Sequence, residues 1–420
     1  MSRTVSGVSA ASGELCLRMQ PRAGYSGLMS DLGPAVAQLV EKATKGGKDW
    51  EQRQAVHDVL QAFDPKDARA GNAALRALGE GIEVADGRGE QILLLAVGAL
   101  VEAGASPEVA WPVVEHKLKE TLDGAAAFAD ACVAEADDPG IPESVKAVGH
   151  LLKKKMPREL AAWEVLKPRC LAAVSCLSRS SKVRVKARAS KADLVTSGQK
   201  LDELVEEVTF FNQVLKLLDD VPLLVLHPDS RRGWRLVMND VTTNLDMFVL
   251  LLDKLIGDPK KGMLAGARPN PKAVQALTDP NANLKKTPEI KVLWNLLGWT
   301  GVLPDHSLPD PKAKEDKAHA DWVWLEGAPI DIPLFEGERV VIFQPPVMVR
   351  EYEIEPAFTA LSPRVELKSK ISAAEVDRLI AKMALAAKPV RAKREAALEK
   401  ARKEYMAQIA AVQRAPKKRR

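Results

Sequence analysis

Between Leu28 and Leu177 the apolar positions recur every three or four residues, and the gaps carry helix-start chemistry. Asp49 precedes Trp50, with Gln52 three residues after it; Asp64 stands before Pro65, and that segment stops near Gly79; Ser106, Pro107 and Glu108 repeat the cap signature. Trp50, Val56, Val59, Leu60 and Phe63 fall on one helical face, which predicts amphipathic helices burying a stripe against their neighbours. No fixed repeat period is present, so residues 28–178 predict an all-helical domain without the regularity of a solenoid. The small, polar residues 1–27 predict a mobile leader.

The period then changes. Lys182, Arg184, Lys186 and Arg188 alternate with Val183, Val185 and Ala187, which predicts a strand with one apolar and one cationic face. Leu201, Leu204, Val205, Val208, Phe211, Leu215 and Leu218 return to helical spacing and predict one long helix. Val221 to Leu226 and Trp234 to Met238 flank a longer loop, His227 to Gly233, predicting a hairpin near 221–239. Asn244 to Ile256 is almost continuously apolar and predicts a buried helix; a helix is also expected over Glu289 to Trp299. Short strands are expected at Trp322 to Leu325, Arg339 to Phe343 and Val347 to Ile354, giving an α+β domain over 179–365 with strands near 322–354.

From 366 to 413 the pattern predicts C-terminal helices. Ser372 and Glu375 form a capping box, with Ile371 and Val376 placed as its hydrophobic staple, and Pro389 divides this helix from a second. Leu398, Tyr405 and Val412 recur every seven residues, with Ile409 nearby: a short partner-binding stripe, too brief to define a coiled coil. Residues 414–420 predict a disordered basic tail. The fold class expected is therefore α+β and predominantly α-helical.

Composition narrows the function classes. At 420 residues, 46% hydrophobic and 28% charged, the chain is long enough for two or three globular domains. No apolar run reaches the ~18 residues of a membrane span, and residues 1–13 lack a secretory h-region, so a cytoplasmic protein is expected. Cys16, Cys132, Cys170 and Cys176 have neither disulfide-framework nor zinc spacing and read as small buried apolar groups. The usage of Ala, Val, Leu, Arg and Pro is that of a GC-rich bacterial coding sequence. The net charge of +5 hides an uneven map: Lys153 to Lys200 carries +10, Lys388 to Arg420 carries +9, and the remainder carries −14.

Motifs for chemistry are sparse. There is no phosphate loop, no third glycine behind Gly79 and Gly81 or Gly87 and Gly89, no nucleophile elbow, and no pair of the six histidines at metal-ligand spacing. No cofactor, metal or catalytic residue is expected. The leading expectation is a non-catalytic protein-interaction protein of adaptor or scaffold type, with an unidentified protein partner. An alternative is a protein that binds nucleic acid or another polyanion. It would use Lys182, Arg184, Lys186 and Arg188, then Arg391, Lys393 and Arg394, and the tail cations Lys417, Lys418, Arg419 and Arg420. A third is an enzyme whose cleft is lined by Trp294, Trp299, Trp322, Trp324, Glu351 and Glu353, the two carboxylates sharing one strand face.

Overall fold

The computed structural model describes residues 31–136, 141–190, 192–202, 204–279, 282, 284–310, 321–346, 349–355, 358 and 360–414. About 61% of the chain is helical, in fourteen helices among the described residues, with a small mixed sheet and a second, two-stranded sheet. The fold is α+β and predominantly helical. It divides into two compact units, one ending at Leu215 and one beginning at Lys216. The 1–27 leader and the tail cations Lys417, Lys418, Arg419 and Arg420 lie outside the described residues.

The first unit is all helix: α1 Leu32–Thr44, α2 Asp49–Ala62, α3 Ala68–Val84, α4 Gly87–Glu102, α5 Pro107–Glu115, α6 Leu118–Ala136, α7 Ile141–Leu152, α8 Pro157–Arg179, α9 Ser181–Ser190, α10 Ala192–Gln199 and α11 Glu206–Leu215. Helix α8 is the hub, packed against α4, α5, α6 and α11. Its buried residues run almost round its circumference from Val165 to Ser178, the pattern of a helix enclosed by others. Gly98 of α4 makes the closest approach possible, since a Cβ there would stand 3.3 Å from the Ala172 backbone. Arg169, fully buried on α8, donates to the Val114 carbonyl at 3.0 Å and to the Glu90 carboxylate, so its charge is matched inside the bundle. Cys132, Cys170 and Cys176 are buried, and burial pushes the Cys176 thiol up to about 12 and Cys170 higher still.

Two expectations fail here. Residues 182–188 are not a strand but helix α9. Its buried face holds Val183, Arg184 and Ala187, one helical turn, while Val185 is half exposed, so the seven-residue alternation of cations was a coincidence of helix-forming residues. The single long helix expected over 201–218 is confined to α11, Glu206–Leu215, and a separate helix, α10, ends before it at Gln199. At Gly198 a Cβ would fall 2.4 Å from the Asn212 side-chain oxygen, so the two helices fold back closely at that glycine.

The second unit is layered. Strands β1 Val221–His227 and β2 Arg232–Asn239 form the expected hairpin; then come α12 Asn244–Leu255, α13 Pro271–Thr278, β3 Glu289–Val292, β4 Asn295–Leu297, β5 Leu334–Phe335, β6 Glu338–Gln344, β7 Arg350–Glu353, β8 Arg364–Ile371 and α14 Ala373–Arg414. The main sheet runs β4-β6-β1-β2-β8, with β5 also on β6; β1 and β6 are parallel and every other pair is antiparallel. β3 and β7 form a separate antiparallel ribbon.

Because β1 and β6 are buried on both faces, they are apolar at successive positions. Leu223, Val225, Val341 and Phe343 join the core under α12, while Leu224, Leu226, Val340 and Ile342 join Val376, Ile380 and Met383 of α14 on the opposite face. α12 starts with a reciprocal cap: Asp246 N–H donates to Thr243 Oγ1 at 3.0 Å and Thr243 N–H donates to Asp246 Oδ2 at 3.1 Å. The Ser372 cap of α14 is present, with Glu375 N–H donating to Ser372 Oγ at 3.2 Å.

Here too the structure corrects the pattern. The helix expected over 289–299 is strands β3 and β4 followed by a 3₁₀ turn at Trp299–Gly301, because Ile290 and Val292 alternate with exposed Glu289 and Lys291 across from β7. Trp322 to Leu325 contributes a single bridge, Trp322 to Leu297. β8 occupies residues 364–371, where the C-terminal helices were expected to begin. Pro389 does not divide them: α14 runs through it, although a proline cannot donate to the Leu385 carbonyl.

Candidate interaction surfaces

The cations of α9 do not form a phosphate-facing row. Arg184 is buried and donates to the Leu177 carbonyl at 2.8 Å, closing the end of α8. Lys182 and Lys186 are exposed, and Arg188 is half-buried. Of the other cations of this basic tract, Lys153, Lys154, Lys155 and Arg158 sit at the opposite end of the 23-residue α8, about 35 Å away at 1.5 Å per residue, while Lys167 and Arg169 lie along it. A charge of +10 in sequence is thus spread along the length of a helix, and part of it, at Arg169 and Arg184, is buried.

The C-terminal cations are divided in a similar way. Arg394 makes two parallel bonds to Asp321, 2.6 and 2.8 Å, and Asp321, 6% exposed in its side chain, also accepts from Thr300 Oγ1 at 2.6 Å. Arg391 donates to the Val302 carbonyl at 2.5 Å. These two arginines, expected on a polyanion surface, clamp α14 to the 3₁₀ turn after β4; Lys393 between them is exposed. Beyond Arg394 every residue through Met406 is exposed, including Leu398 at 53%, Tyr405 at 62% and Met406 at 57%.

Of the expected cleft residues, Trp322 and Trp324 meet with ring centroids 5.2 Å apart, and the tryptophans as a set are spread over both faces of the sheet. Trp294 belongs to the α12 side of the sheet, where its ring meets Phe343 at 5.7 Å and His227 at 5.2 Å edge-on; Trp299 and Trp322 belong to the α14 side. Trp324 is covered in part by Arg350, whose guanidinium lies 6.0 Å from its centroid and 5.4 Å from that of Tyr352. Glu326 ties this group together, accepting from Tyr352 Oη at 2.7 Å and Arg350 at 3.4 Å; burial, then that bond, pushes the phenol up to about 12. Glu351 and Glu353 are exposed on the outer face of the ribbon, and Glu351 pairs with Lys291 at 3.1 Å.

A cleft of about 620 Å³ opens beside that ribbon, lined by Lys272, Lys285, Lys286 and Lys291 with Glu289 and Glu351. Lys286 reaches Glu289 at 3.7 Å, so carboxylates answer half of its cations. Among the described residues no group of three His, Cys, Asp or Glu converges in a metal-binding arrangement, and no helix is long and apolar enough to cross a membrane. His227 Nδ1 lies 2.7 Å from Ser230 Oγ, closing the 3₁₀ turn between β1 and β2, and burial holds the imidazole below its ordinary pKa.

The feature that sequence reasoning undervalued is therefore the end of α14, which the seven-residue recurrence of Leu398 and Tyr405 already marked. Set against family models, characterised proteins and solved structures, the chain matches none of them.

Proposed function

We propose that the protein is a non-catalytic, cytoplasmic interaction protein whose second unit presents the distal half of α14 to a partner. One observation carries this reading: α14 is fixed to its own unit by a buried stripe and two arginine clamps up to Arg394, then continues with large apolar side chains exposed. Leu398, Tyr405 and Met406 are each more than half exposed within nine residues, and apolar side chains on a helix are the ordinary anchors of helix-mediated recognition.

The test is site-specific photo-crosslinking in cells. A photoreactive residue at Leu398 or Met406 is expected to give adducts of discrete mass, while the same residue at Lys153, exposed in the other unit, gives none. Absence of adducts at both α14 positions sinks the reading. A chain ending at Glu395 retains both clamps and serves as the matched control.

A further inference from the structure

We infer that the cleft beside the β3–β7 ribbon receives an extended acidic peptide of a partner protein, added as a third strand along the free edge of β3. The site is separate from the end of α14, and three observations carry it.

The first is the edge. β3 pairs with β7 alone. Ile354 N–H donates to the Pro288 carbonyl at 2.9 Å, and counting by two from that bond turns the N–H and C=O of Ile290 and Val292 toward β7 and those of Glu289 and Lys291 away from it. Among the described residues these four outward groups have no backbone partner. Such an edge is a template for another extended segment.

The second is position. The cleft is lined by the five consecutive residues 287–291 and by Glu351 alone from β7, so it runs along the outer side of β3 and not across the face of the ribbon. The rest of its wall is Asn270 and Lys272 at the start of α13, with Leu284, Lys285 and Lys286. At about 3.3 Å per residue, the wall at 287–291 is long enough for roughly five residues of an added strand.

The third is charge. Lys286 and Lys291 are answered by Glu289 and Glu351, whereas Lys272 and Lys285 have no carboxylate partner, and Lys272 stands in the first turn of α13, where the helix dipole adds to its field. The backbone edge accepts any sequence, and this field selects one rich in carboxylates. The two ends of the chain do not supply them: residues 1–30 carry Arg3, Arg18 and Arg22 against Glu14, and residues 415–420 carry Lys417, Lys418, Arg419 and Arg420 with no acid. The occupant therefore belongs to another chain. A phosphate polymer would answer the lysines, but it would bring few donors to the outward carbonyls of Glu289 and Lys291 and would meet the carboxylates of Glu289 and Glu351; a peptide brings an N–H for each carbonyl.

The probe is a labelled peptide of about ten residues, Glu alternating with Thr, titrated with the full-length chain and read by fluorescence anisotropy. Saturable binding is expected. The double variant Lys272→Glu, Lys285→Glu, which breaks no ion pair, is expected to weaken it at least tenfold with unchanged circular dichroism. A peptide of equal charge with Pro in place of each Thr is expected to bind at least tenfold more weakly, because proline has no N–H to give the edge. Replacing Lys417, Lys418, Arg419 and Arg420 together by Ala should leave the affinity within about twofold. In amide exchange, bound peptide protects Glu289 and Lys291 and leaves Ile290, already bonded to β7, as it was. No binding up to about 1 mM, equal affinity of the proline peptide, indifference to the lysine variant, or loss of binding in the tail variant overturns the inference. A single-stranded oligonucleotide of equal charge that binds more tightly than the peptide, and is lost in the lysine variant, also overturns it, in favour of a phosphate polymer. Crosslinking at Leu398 does not involve these lysines, so this inference and the reading of α14 stand or fall separately.

Discussion

At the level of single residues, several arginines close the protein's own backbone instead of facing solvent, among them Arg169, Arg184 and Arg391. Arg184 illustrates it: truncation to Ala should strand the Leu177 carbonyl and cost about 2 kcal/mol or more, while Lys182→Ala and Lys186→Ala should stay within about 0.5 kcal/mol, all three read by urea denaturation. Asp321→Asn is expected to cost about 3 kcal/mol, because Arg394 loses its partner at a nearly buried site, and to raise amide exchange between Lys388 and Glu395 before elsewhere in α14. His227 gives a pH dependence of definite sign. Its folded pKa is depressed, first by burial, so the unfolded chain takes up a proton near pH 6.5 before the folded one does. Its contribution to stability is therefore complete above about pH 7 and shrinks as pH falls through 6.5 toward the folded value, and His227→Gln should flatten that slope in urea titrations at pH 7.5 and 5.5. None of these roles was legible from residue type, since an arginine on a surface and an arginine under a helix end look the same in sequence.

At the level of elements, legibility followed local chemistry. The Ser372 cap, the 221–239 hairpin and the buried α12 were readable because each is specified by neighbours in the chain: a cap residue with its partner three positions on, two apolar runs about a turn, an unbroken apolar stretch. Elements specified by distant residues were not. β3 is a strand because β7 lies across from it sixty residues later, and Glu289 to Val292 alone is too short to separate period 2 from period 3.6. β8 did carry a signal, Val365, Leu367 and Ile371 alternating with Arg364, Glu366, Lys368 and Lys370, obscured by the helix cap beside it. The converse held in α9, where the same alternation belonged to a helix. Pro389 sits inside α14 at a cost in one helical hydrogen bond, so Pro389→Ala should raise the stability of the second unit, by up to about 3 kcal/mol, measured as a shift in its denaturation midpoint.

For the molecule as a whole, the two units differ in how far apart in sequence their contacts lie. The helices of the first unit pack mostly on neighbours in the chain, apart from the hub α8, whereas the second unit is built on a pairing between its beginning and its later third. Pulse-labelling hydrogen exchange during refolding is therefore expected to protect amides of α4 and α6 at least tenfold sooner than those of β6; simultaneous protection would contradict it. The parallel pairing of Leu223 with Arg339 has a further consequence at the ribosome. Roughly 115 residues must be added after β1 before its neighbour exists, about 6 to 23 s at ordinary elongation rates. Throughout that interval the β1–β2 hairpin stands with an apolar, unpaired edge, so α12, the next element made, is the first that can shield one of its faces.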